Sequence, residues 1–149
     1  MAISSAICSS FKQELLQGKH SLDTSGTGGD TFKLAMYTSS ASLDATTTAY
    51  ATGNEISGSG YSAGGATLTN TGVGLNSTTA FTDFSDISFT SASFTANGCL
   101  IYNTTTAGGS GTTNAVCAIA FGGDKTVSSG TFTIQFPTND SSSAIIRLT

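Results

Sequence analysis

Apolar residues in the first sixteen positions recur at every fourth place. Ile3, Ile7, Phe11 and Leu15 form one stripe, widened by Ala6, Cys8 and Leu16, while Ser9, Lys12, Gln13 and Gln17 fall opposite. This period predicts an amphipathic helix within residues 1–18. Ser4 or Ser5 can cap its start, and Gly18 suits the C′ position at its end. A single helix with one apolar stripe must bury that stripe, either across a sheet of its own chain or on another protein. Ile3, Ile7, Phe11 and Leu15 are therefore the candidate docking face.

From Phe32 the period changes to two. Phe32, Leu34 and Met36 alternate with Lys33, Ala35 and Tyr37, which predicts a half-buried strand. Residues 38–55 hold few apolar anchors and read as a loop, with a short turn of helix at 42–44. Residues 57–65 read as a flexible connection built around Tyr61, which is either a loop anchor or a contact residue. Beyond it come strands. Residues 66–75 alternate weakly; Phe81, Phe84, Ile87 and Phe89 mark an irregular strand pair with Asp83 and Asp86 in its turns. Asn97-Gly98 predicts a hairpin turn. The continuous apolar runs at 99–102 and 115–121 predict strands, the second covered on both faces. Residues 103–114 read as an exposed loop, and Gly122-Gly123-Asp124-Lys125 as a further reversal. Phe132, Ile134 and Phe136 share a face of a strand that ends at Pro137, and Ile146 and Leu148 point inward from a last strand. About seven or eight short strands, separated by Gly, Ser, Thr and Asn turns, predict an all-β antiparallel sandwich of jelly-roll or immunoglobulin-like type. The expected division is an amino-terminal helix, 1–18, and one sandwich domain, 19–149.

Composition narrows the function more than it names it. Of 149 residues only 9% are charged, against about 25% in an ordinary soluble domain. Close to half the chain is Thr, Ser or Gly. A net charge of −4 with five cations offers no footprint for a polyanion, so no nucleic-acid partner is expected. No run of about 18 apolar residues occurs, so no membrane span is expected. The first residues lack a cationic region and a continuous apolar core, so they do not read as an export signal. In a reducing cytosol, Cys8, Cys99 and Cys117 are expected as buried thiols, a Cys99–Cys117 bridge being the alternative.

Catalytic patterns are not found. The one histidine, His20, follows the predicted helix, where a last-turn position near the C-terminus explains it. No G-x-S-x-G elbow is present to hold a nucleophile. One His and three scattered Cys make no zinc set. Asp83-x-x-Asp86 and Asn139-Asp140 are the acidic clusters, and both read as turn-initiating residues. Glycines at 26–29, 58–65 and 108–111 are not followed by Lys-Ser/Thr and a helix, so no phosphate loop is expected. No catalytic, cofactor or metal residue is assigned, and the chain is expected not to be an enzyme. Tyr61 is the candidate loop contact for a carbohydrate or receptor.

Several stretches carry a resemblance. Residues 11–20 read FKQELLQGKH, residues 29–38 read GDTFKLAMYT, and TTAY at 47–50 is followed by NEISG at 54–58 and GYSAGGATL at 60–68. With Asp83-Phe84-x-Asp86 and Ala144-Ile145-Ile146-Arg147, this resembles a family of small virion structural proteins of tailed bacteriophages, of the head decoration or cement kind. The resemblance implies a part of the virion, assembled in the host cytoplasm. Its partners would be the major capsid protein and copies of itself, in a homo-oligomer. A tail, neck or fibre-like component is the alternative, with a carbohydrate- or receptor-binding module as a third.

Overall fold

The computed structural model describes residues 2–24, 29–105 and 112–149. It is an all-β fold of two antiparallel sheets with one short helix. In chain order the elements are β1 (Ala6–Ile7), α1 (Ser9–Leu16), β2 (Phe32–Tyr37), β3 (Ala66–Thr67), β4 (Asn70–Asn76), β5 (Thr79–Phe84), β6 (Ile87–Asn103), β7 (Asn114–Ile134) and β8 (Ile146–Leu148). One sheet runs β1-β7-β6-β2-β3 and the other β4-β5-β8. The chain passes between sheets at Leu68-Thr69, at Ser85-Asp86 and again through residues 135–145. The first two crossings lie side by side, with the Ser85 N–H donating to the Thr69 carbonyl at 2.8 Å.

The amino-terminal stripe is not one face of a helix. Ile3 bridges in parallel to Leu43, Ala6 and Ile7 pair with Ala118 and Cys117 of β7, and the helix begins only after Cys8. The competing force is the free edge of β7: it offers backbone partners to a segment whose Ile and Ser residues are weak helix formers. Ser5 Oγ strengthens that choice by accepting the Ala120 N–H at 2.9 Å. Within the segment 1–18, Ala6 and Ile7 therefore join the large sheet, and the helix is confined to Ser9–Leu16. The helix end does follow its sequence signal. Gly18, at φ +69°, closes a Schellman pair in which Lys19 N–H donates to Glu14 O and Gly18 N–H to Leu15 O. Leu16 is 93% exposed, outside the stripe it was expected to widen.

β6 and β7 form one ribbon, paired from Ile87↔Ile134 to Asn103↔Asn114. Neither Asn97-Gly98 nor Gly122-Gly123 reverses the chain. Ala96 pairs with Lys125 and Gly98 with Ala120, so Asn97 faces the bulged residues Phe121, Gly122, Gly123 and Asp124. The Asn97 side chain donates to Asp124 Oδ1 across the bulge at 2.8 Å. A hairpin of the Asn-Gly kind needs positive φ at both residues, and neither Asn97 nor Gly98 has it. Gly98 is needed for close approach instead: an added Cβ would lie 2.6 Å from the Ile119 carbonyl oxygen and 2.8 Å from a methyl of Ile3.

The inner half of the ribbon is buried on both faces at Cys99–Tyr102 and at 115–118. β2 beside it is buried at every position but Lys33, more than a half-buried strand. Beyond β3 its edge is closed by the following loop, where Ile56 N–H donates to Met36 O at 3.0 Å. Residues 42–44 form no helical turn, because Leu43 is held in its bridge to Ile3. Asn103 lies fully buried in β6, not in an exposed loop, and residues 106–111 of the expected loop lie outside the described residues. Asp83 also leaves its expected turn for β5, where it is fully buried and its carboxylate accepts the Phe84 and Ile145 N–H groups. Leu148 is 53% exposed, not inward. Phe11, Phe32, Leu34, Met36, Leu100, Ile101 and Val116 fill the core, each worth about 1.5–3 kcal/mol of burial.

Gly65 tests the contact between the 57–65 loop and β2. Its φ is +75°, and a Cβ there would run into the Leu34 carbonyl. Gly65→Ala is expected to cost about 3 kcal/mol or more, whereas Gly53→Ala, which meets open space, should change the melting temperature little.

Candidate functional site

The polar side chains that could do chemistry are mostly turned inward. His20 sits past the end of α1 with its side chain fully buried, and Nε2 lies 2.6 Å from Glu14 Oε2. Its Nδ1 faces the Asn103 amide at 2.9 Å. That amide is oriented by two further bonds: Oδ1 accepts the Thr105 N–H, and Nδ2 donates to Asp30 Oδ2 at 2.6 Å. An NH2 group facing Nδ1 requires Nδ1 to accept, so the proton sits on Nε2 and is donated to Glu14. The other Glu14 oxygen accepts from Asn114. The arrangement ties α1 to both strands of the ribbon. His20 thus lies beyond the last turn of α1, not within it as expected, and is held instead by the Glu14 and Asn103 side chains.

A second network centres on Glu55, which sequence reasoning did not single out. Its carboxylate accepts Tyr50 Oη–H at 2.7 Å, Tyr61 Oη–H at 2.6 Å and Gly64 N–H at 2.7 Å. Tyr61 Oη also accepts the Met36 N–H at 3.0 Å, and Tyr102 Oη–H donates to Gly64 O. Tyr50 and Tyr102 stack with centroids 4.5 Å apart. Tyr61 therefore anchors the loop to β2 and to Phe89 and Phe94, and its hydroxyl is spent inside the protein. Burial, followed by the hydrogen bond to Glu55, pushes the Tyr61 hydroxyl far above its ordinary range and that of Tyr50 up to about 12. The signal that could have revealed the hub was one carboxylate in a long uncharged stretch, five and six residues from two tyrosines.

Cys8, Cys99 and Cys117 are free and buried. Burial pushes the Cys8 thiol up to about 11 and raises Cys99 and Cys117 as well. Asp140 accepts the Ser142 and Ser143 N–H groups, the expected turn role, and these bonds hold its carboxyl below the usual range. Among the described residues no group of three or more His, Cys, Asp or Glu is placed to hold a metal ion.

The candidate docking residues do not converge. Ile3 and Phe11 are buried in the core, and Ile7 and Leu15 are partly buried against it. The surface that is open and apolar lies elsewhere. The outer half of the ribbon has a Thr/Ser face, with Ser88–Thr133 and Thr95–Thr126 hydroxyl pairs at 2.8 Å, and an aromatic face. Beside that aromatic face a groove of about 500 Å³ is walled by Ile119, Phe121, Phe132, Ile134, Phe136 and Ile145, with Lys125 also in its lining. The bulge creates part of it by displacing Phe121, whose ring lies 6.1 Å from Phe132.

No family model, curated protein or solved structure matches this chain. No helix among the described residues is long and apolar enough to cross a membrane.

Two outcomes check the buried chemistry. Thiol reagents should label none of the three cysteines in the native protein and all three after denaturation; rapid native labelling would contradict the placement. The thiols and tyrosines bind their protons more tightly folded than unfolded. Stability is therefore full below the ordinary thiol value of 9.0 and falls as pH rises toward the folded Cys8 value of about 11. A melting temperature that stays level across that interval would contradict the shifts.

Proposed function

We propose that this chain is a structural protein of a tailed-phage virion, a decoration or cement protein that binds the major capsid protein and stabilises the head shell. The observation that carries the reading is the contrast between an interior that absorbs the reactive side chains and an open apolar groove on the ribbon. A shell component needs such a contact surface and does not need a pocket of titrating groups. The resemblance of residues 11–20, 29–38 and 54–68 to virion proteins supports it. So does the scarcity of charge, since closely spaced copies repel one another little. Many weak contacts on one lattice add by avidity, so each groove need bind only modestly.

The amino-terminal stripe is spent within the fold, so the docking role passes in this reading to the groove. An apolar side chain of the shell protein would pack on Phe121, Phe132 and Ile145. Cosedimentation with assembled heads tests this. The wild-type chain should coat the heads, and Phe121→Asp should lower the apparent affinity about tenfold or more while leaving the far-ultraviolet spectrum and melting temperature close to wild type. Failure of the wild-type chain to bind heads, or equal binding by the variant, would contradict the assignment.

A further inference from the structure

We propose that β4 is a self-association edge, through which two copies pair antiparallel and join their three-stranded sheets into one of six strands. β4 is the outer strand of its sheet, and from Val73 to Leu75 no described backbone group pairs with it beyond β5. Val73 and Leu75 share a face and are 59% and 74% exposed. Edges are ordinarily protected by lysine, proline or a covering segment. β4 carries neither residue, and no charged residue occurs anywhere between Glu55 and Asp83.

The occupant must be an extended, uncharged strand with apolar side chains at alternate positions, and β4 itself meets that description. Antiparallel pairing centred on Gly74 sets Val73 opposite the second copy's Leu75, and Leu75 opposite its Val73. Residues directly opposite share a face, so four apolar side chains close into one row. On the other face glycine meets glycine, and only the Phe81 ring of each copy lies across that centre. Leu148 and the narrow cleft formed by Leu15, Leu22, Ala80 and Ile146 continue the apolar surface behind the row. Gly72, at φ +100°, bulges the strand and ends the pairing. The two-fold uses the same edge in both copies, so this contact closes as a dimer and does not propagate. One strand pair and one short apolar row fall in the weak class of interfaces, below about 1,200 Å².

The inference does not rest on the virion reading and is tested on the isolated chain. Sedimentation velocity at concentrations up to about 1 mM should show a concentration-dependent dimer. Leu75→Lys should weaken it about tenfold or more with an unchanged thermal melt. The register is tested by cysteine pairs, since directly opposed strand residues lie within disulfide reach and the three native thiols are buried. A mixture of Val73→Cys and Leu75→Cys chains should cross-link on oxidation, and neither chain alone should do so. A monomer at every concentration, a dimer indifferent to Leu75→Lys, or cross-linking by Val73→Cys alone would overturn the proposal.

Discussion

The pairing of β6 with β7 is the constraint on which the rest of the molecule depends. Two strands stay in register-shifted contact from Ile87 to Asn103 and from Asn114 to Ile134, farther than the sheet around them extends. Where β1 and β2 flank them, the ribbon is buried on both faces and defines the core. Past the bulge at Asn97 no further strand among the described residues flanks it, so its apolar face must be covered by other means. The loop around Tyr61 covers part, through the Ser59↔Ser93 bridge and the contacts with Phe89 and Phe94. What the loop does not reach is the groove beside Phe121 and Phe132.

The loop can cover the ribbon because it is itself rigidly tied. Glu55 gathers three donors, and a charged acceptor makes each bond stronger than a neutral one. Glycine at 65 lets the backbone descend onto β2, and glycines at 58 and 60 let it approach Ser93 and Ala92. A sequence that looks like a slack Gly/Ser connection is in fact a set of close backbone approaches, and those are what the glycines permit.

The parts legible in the sequence are those where local pattern and final environment agree. The apolar runs at 99–102 and 115–121 read as strands and are; the second is covered on both faces only over 115–118, with Ile119, Ala120 and Phe121 half-buried, the first and last of them in the groove wall. The 32–37 alternation marked β2. Gly18 ended the helix as its type suggests. Legibility fails where tertiary partners outbid local signals. The Ile3–Leu15 period is real, but an open strand edge captured its first half. Asn97-Gly98 and Gly122-Gly123 carry turn chemistry, yet they oppose each other in one bulge, a relation that no window of neighbouring residues contains. The same holds for the groove, whose walls come from residues 119–136 and 145, and for Glu55, whose partners gather from loop and strand.

Taken as a surface, the molecule offers hydroxyls, few charges and a small number of open apolar patches, with its histidine, thiols and tyrosine hydroxyls drawn inside. That distribution suits a component that is held among neighbours. A cryo-electron microscopy map of tailed-phage particles assembled in the presence of this chain tests the proposed decoration role most directly. Many symmetry-related copies on the head, with the ribbon groove against the shell, are the predicted result. A map with this density absent, or confined to a few copies on the tail, would contradict the decoration role.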